Sequence, residues 1–112
     1  MEYTESKSNG IVVLKLFGNL DMLNAGILKE RIKESASQSE HRFIFDLEGV
    51  SFIDSSGFGL IMSLNDKLTE LGGGLRIVNV SKTIRQIFRI SKISSVIQIF
   101  ESTEEAIQSF LP

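Results

Sequence analysis

A chain of 112 residues, 42% hydrophobic and 23% charged, is the right size for one globular domain, 1–112, with a modest core and no second domain. A formal net charge of −2 with mixed signs and no basic stripe excludes a nucleic-acid partner held by counterion release, and the absence of cysteine excludes disulfides and thiolate chemistry. The start Met1-Glu2-Tyr3-Thr4-Glu5 lacks the charged and apolar regions of a signal peptide, and no apolar run reaches transmembrane length, so a cytoplasmic protein with no membrane partner is expected.

In chain order, Ile11 to Phe17 is β-branched and apolar, preceded by Asn9-Gly10 and stopped by Gly18. Asn9-Gly10 between Tyr3-Thr4-Glu5 and this run predicts a hairpin with a short edge strand. Asn19-Leu20-Asp21 reads as a loop, followed by Asn24 as the cap of a helix to about Ser37 in which Ala25, Leu28, Ile32 and Ala36 recur at helical spacing. Ser37 to Arg42 is a polar connection, and Phe43-Ile44-Phe45-Asp46-Leu47 is the most continuously apolar strand, suited to the centre of a sheet.

Val50 to Asp54 leads into Ser55-Ser56-Gly57-Phe58-Gly59 and a helix with Ile61, Leu64, Leu68 and Leu71 at spacings of three and four, ending at Gly72-Gly73-Gly74. These glycines follow a helix and precede the strand Leu75 to Asn79, so they read as a cap and turn; a phosphate cradle would have to precede a helix. Ser81 opens a short helix with Ile84, Ile87 and Phe88 on one face and Lys82, Arg85 and Arg89 outside it, a basic face that could meet a phosphate or an acidic partner but is more commonly just solvated. Val96 to Phe100 reads as the last strand, and Ser102-Thr103-Glu104-Glu105 as a capping box for a terminal helix carrying Ala106, Ile107, Phe110 and Leu111. Strands alternating with helices after a hairpin predict an α/β domain with a mixed central sheet and about four helices.

Little here supports catalysis. His41 is the only histidine and has no cysteine or second histidine with which to bind zinc. Asp54-Ser55-Ser56-Gly57 lacks the glycine two residues before the serine of a nucleophile elbow, and a triad would have to recruit the distant His41. Gly57-Phe58-Gly59 starts a dinucleotide pattern, but Met62 stands at the third glycine and no Walker lysine follows. No catalytic residue, metal or cofactor is assigned, and the chain is read as not an enzyme.

The turn instead suits a residue that is acted upon. A phosphoryl group on Ser55, or on Ser56 as second choice, would bring nearly two negative charges and three acceptor oxygens to the positive end of a helix, where N–H groups tolerate an anion. Beside Asp54 and Asp21 that added charge would repel an acidic partner and make burial of the surface costly. The plainer reading, that Asp54 or Ser55 caps the helix, coexists with this one.

The segments Gly18-Asn19-Leu20-Asp21, Phe52-Ile53-Asp54-Ser55-Ser56-Gly57-Phe58-Gly59 and Gly73 to Phe88 stand in an order and spacing that resembles the anti-sigma factor antagonists of the bacterial STAS family, over essentially the whole chain. The resemblance implies a domain that, unphosphorylated, binds a serine kinase acting as anti-sigma factor and so frees the sigma factor. It implies that the kinase phosphorylates the serine directly after the aspartate, here Ser55, that the modified antagonist lets go, and that a metal-dependent serine phosphatase resets the cycle. Asp21, Asp54, Ser56, Gly57, Phe58 and Met62 are then the expected partner-binding residues, and the expected state is a monomer or weak dimer.

Asn19, Phe58 and Ser91-Lys92-Ile93 depart from the family's usual residues, which bears on the partner more than on the fold. Phe58 and Met62 form an apolar contact patch if exposed and core if buried. The alternatives are a scaffold or regulator of the same fold serving a stressosome-like, secretion or motility output, and a small-ligand sensor or enzyme.

Overall fold

The computed structural model describes residues 2–111. Strands β1 (Glu2–Ser8) and β2 (Ile11–Leu20) form the predicted antiparallel hairpin, with Ser8 paired to Ile11. Asn9 and Gly10 both take positive φ, 53° and 77°, as a two-residue turn matched to strand twist requires. β2 does not stop at Gly18. That glycine adopts φ 103°, the pairing shifts register beside it, and the strand runs on to a fully buried Leu20 opposite Ile53. The predicted loop Asn19-Leu20 is therefore strand, and only Asp21 remains as connection.

Helix α1 (Met22–Ala36) consequently starts earlier than Asn24. Asp21 is its cap, in extended conformation, and accepts the Asn24 N–H at 3.1 Å, while the Asn24 side chain donates to the Asn19 carbonyl at 2.9 Å. Leu28 and Ile32 are buried and Ala25 half-buried, as their spacing predicts; the side chain of Ala36 lies outside the described residues.

Strand β3 (Arg42–Ile53) is 12 residues long and extends well past the apolar run at its start. Phe43, Phe45 and Leu47 enter one core while Ile44 enters another, the alternation of a strand covered on both faces. Helix α2 (Ser55–Glu70) buries Leu60, Ile61, Leu64 and Leu68; Leu71 is its half-exposed C-cap, and Gly72 turns the chain at φ 93°. Strand β4 is Gly74–Val78, and Asn79 leaves it at φ 58°. The Asn79 amide donates to the buried Asp46 carboxylate at 3.1 Å, and the Glu48 N–H donates to the same carboxylate at 3.0 Å, so its burial is compensated.

Helix α3 (Lys82–Ile90) is capped by Ser81 and buries Ile84 and Phe88. The last strand is shorter than predicted: Ile93–Ser95 winds into a 3₁₀ turn after Lys92 at φ 62°, and only Ile99–Phe100 (β5) pairs, with Ile77 and Val78. Ile93 and Ile97 are buried in the larger core on either side of this turn. Helix α4 (Thr103–Phe110) has the predicted Ser102 cap, which accepts the Glu105 N–H at 3.2 Å.

The sheet order is β1-β2-β3-β4-β5, with β1 antiparallel and the rest parallel. Helices α1, α2 and α3 cover one face over the larger core; α4 covers the other over Ile11, Ile44 and Val78. This is the predicted α/β domain with a mixed sheet and four helices. An ion cluster fastens α1 to the hairpin edge, with Arg31 bonded to Glu5 at 2.7 Å and Lys7 to Glu40 at 2.6 Å. The Arg31 bond holds the Glu5 carboxyl below its ordinary pKa, and the Lys7 bond does the same for Glu40.

Candidate functional site

The parallel strands β2 and β3 end side by side, and each is followed by one aspartate and a helix. Leu20 pairs with Ile53, so Asp21 and Asp54 emerge next to one another. Asp54, extended at φ −98° and ψ −175°, accepts the Gly57 N–H at 2.9 Å, and its own N–H donates to the Leu20 carbonyl at 3.2 Å. That last bond ties the start of α2 to the end of β2. The approach is close enough that a Cβ on Gly57 would stand 2.2 Å from the Leu20 oxygen. Glycine is needed there for space.

Ser55 is the first residue of α2 and is exposed; Ser56 is half-buried and Gly57 buried. Phe58 makes the first bond of the helix ladder, to the Asp54 carbonyl at 3.0 Å. The N–H groups of Ser55 and Ser56 precede that bond and have no acceptor within the helix, which leaves them for solvent or an anion. With α1 beginning at the adjacent aspartate, two helix N-termini lie at the C-terminal end of the parallel strands, and their dipoles add to the local positive potential.

Asp21, Asp54, Ser55, Ser56 and Gly57 thus come together as the turn pattern predicts. Phe58 and Met62 are half-buried against the larger core, and the Phe58 ring meets Phe88 edge-to-face at 5.6 Å. The broadly exposed apolar side chains around the two caps are others: Met22 at 73%, Leu23 at 89% and Phe52 at 52%. Phe52 pairs with Asn19, two residues before Asp21. The sequence carried a signal for Met22 and Leu23, because a cap at Asp21 puts both in the first helical turn. Reading Asn24 as the cap hid it.

His41 stands just before β3 and Ser55 just after it, so the only histidine and the turn lie at opposite ends of that strand. Among the described residues no three histidine, cysteine or acidic side chains are grouped to hold a metal ion, and no helix is long and apolar enough to cross a membrane.

A mixed five-stranded sheet with helices on both faces and two capped helix starts at the ends of its neighbouring parallel strands defines the class of domain. The STAS domain profile matches residues 4–106, and the chain belongs to the STAS domain family. It is 34% identical over 95 residues to an anti-sigma F factor antagonist of Lysinibacillus sphaericus, covering 84% of this chain and 80% of that one. Among solved structures it is similar to the anti-sigma factor antagonist SpoIIAA in its unphosphorylated form, at 26% identity, TM-score 0.74 and 96% coverage of both chains. It is also similar to the Bacillus cell fate determinant SpoIIAA in the phosphorylated form, at 28% identity and TM-score 0.73, covering 96% of this chain and 98% of that one.

Proposed function

We propose that this chain is an anti-sigma factor antagonist whose binding is switched at Ser55. In its unmodified state it binds a serine kinase that acts as an anti-sigma factor, and the sigma factor is released. The kinase transfers the γ-phosphoryl group of ATP to the Ser55 Oγ, with ADP as leaving group and the hydroxyl proton lost to a base of the kinase. The phosphorylated antagonist dissociates, and a metal-dependent serine phosphatase restores the hydroxyl. The domain is a regulatory binding module acting in the cytoplasm, not an enzyme.

The observation that carries this reading is the placement of Ser55: an exposed hydroxyl on the first residue of a helix whose cap is the preceding aspartate, with free N–H groups beside it. The similarity to antagonists, and to one solved with and without phosphate, supports it. A phosphate there meets the helix dipole favourably, so the domain stays folded while its surface charge changes. The change falls beside Asp21 and Asp54, where a partner that seats against these carboxylates would meet about two further negative charges. In this reading Met22, Leu23 and Phe52 provide the apolar contact area around the turn, while Phe58 and Met62 support it from beneath.

The test is reconstitution with the cognate kinase from the source cell, identified by capture on the unmodified chain. Phosphopeptide mapping should place a single phosphate on Ser55. Ser55→Ala should bind the kinase without being modified, and Ser55→Asp should bind more weakly. A phosphate mapped elsewhere would overturn the assignment of Ser55, and Ser56 would be examined next.

A further inference from the structure

Helices α1 and α2 lie side by side on one face of the sheet, and between their C-terminal halves they leave a cavity of about 280 Å³. Its floor is Ile32 and Leu64, both buried. Lys29 and Lys33 form one wall, four residues apart and so on one face of α1; Ser63 and Lys67 form the other with the same spacing on α2.

Three lysines therefore surround an apolar floor with no carboxylate in the lining. Among the described residues none of the three forms an ion pair, although Glu30 is three residues before Lys33 and Glu70 three after Lys67. Lys33 and Lys67 sit in the last turns of their helices, where the dipole favours a cation; Lys29 does not, and its charge adds to that of Lys33. An apolar floor under polar groups is the usual make-up of a small-molecule site, and the volume, just below the usual range, suits only a small ligand.

The geometry points to a binding site for a small amphiphilic anion, a short hydrocarbon body lying between the methylene stems of Lys29, Lys33 and Lys67 above the buried Ile32 and Leu64, with a carboxylate or phosphate head held among the three ammonium groups. This site is independent of the turn at Ser55 and of the antagonist reading. Lysine methylenes lie along the body while their ammonium groups reach the head, the arrangement long cationic side chains favour at apolar surfaces.

The test is titration of the full chain, followed by amide chemical shifts, with octanoate, octyl phosphate, 1-octanol and inorganic phosphate as probes. Octanoate or octyl phosphate should bind saturably, with the largest shifts at residues 29–33 and 63–67, and whichever binds tighter identifies the head group. Octanol and inorganic phosphate, each with half of the chemistry, should bind at least about fivefold more weakly. The double variant Lys33→Gln, Lys67→Gln, at exposed positions that leave the fold unchanged, should weaken the amphiphile about fivefold, as expected for two exposed charge contacts of roughly 0.5 kcal/mol each. Absence of saturable binding by either amphiphile, equal binding of octanol, or unchanged affinity in the double variant would each overturn the proposal and leave the lysines as helix-end charges only.

Discussion

The amide of Asp54 donates to the carbonyl of Leu20 at 3.2 Å, so the residue that caps α2 is anchored to the end of the neighbouring strand. The cap does two things at once: its side chain satisfies the Gly57 N–H, and its backbone fixes where α2 begins relative to α1. Asp54→Ala is therefore expected to lose about 1 kcal/mol of stability, as N-cap removal generally does, with Asp54→Asn or Asp54→Ser recovering most of it. Urea unfolding of the three variants measures this.

Gly57→Ala reverses the usual sign of a helical glycine substitution. In an open helix, alanine gains roughly 1 kcal/mol over glycine. Here its Cβ would stand 2.2 Å from the Leu20 oxygen and 2.8 Å from the Ile53 side chain. The expected outcome is a loss of about 1–3 kcal/mol, the range of overpacking, seen as a lower urea midpoint. Gly59→Ala, with nothing near its Cβ, is the control and should be neutral or stabilising.

Leu23→Glu separates contact from folding. The side chain is 89% exposed, so unfolding should stay within about 0.5 kcal/mol of the parent. Association with the kinase should weaken by about tenfold or more if Leu23 is an apolar anchor beside the turn, read by calorimetry. Phe58→Ala should behave oppositely and destabilise the domain, because that ring packs on Phe88 and the core.

The hairpin edge predicts a pH dependence. Glu5 is held below its ordinary pKa mainly by its bond to Arg31, and Glu40 mainly by its bond to Lys7. A carboxyl with a lowered folded-state pKa contributes stability that is complete above the unfolded value, about 4.3 for glutamate, and that is lost as pH falls through the folded value. Arg31→Met should thus be less stable than the parent at pH 7, by about 1 kcal/mol. The difference should shrink in unfolding curves taken below pH 4.

Much of this was legible because local pattern and tertiary environment agree. The Asn9-Gly10 turn, the Ser102 cap and the spacing of Leu28 with Ile32 or Leu64 with Leu68 each specify their element from a few neighbouring residues. The misread parts depend on a distant partner. Gly18 reads as a strand stop until β3 supplies a ladder that continues past it, and that continuation moves the α1 cap from Asn24 to Asp21. Val96 to Gln98 look like part of the last strand, but after the left-handed Lys92 and the 3₁₀ turn at Ile93–Ser95 only Ile99 and Phe100 find partners on β4. At the turn, Ser55 and its aspartate are local and were readable; which apolar residues surround them depends on how β2 and β3 end side by side, and was not.

The sheet order β1-β2-β3-β4-β5 is also the order of synthesis. Every strand finds its partner in the one made just before it, so no strand waits for a later segment to be inserted between itself and its neighbour, and pairing can advance from the N-terminus as the chain emerges. Both capping aspartates and the strands that seat them lie within residues 11–70, so the site's framework can form before the last third of the chain is made.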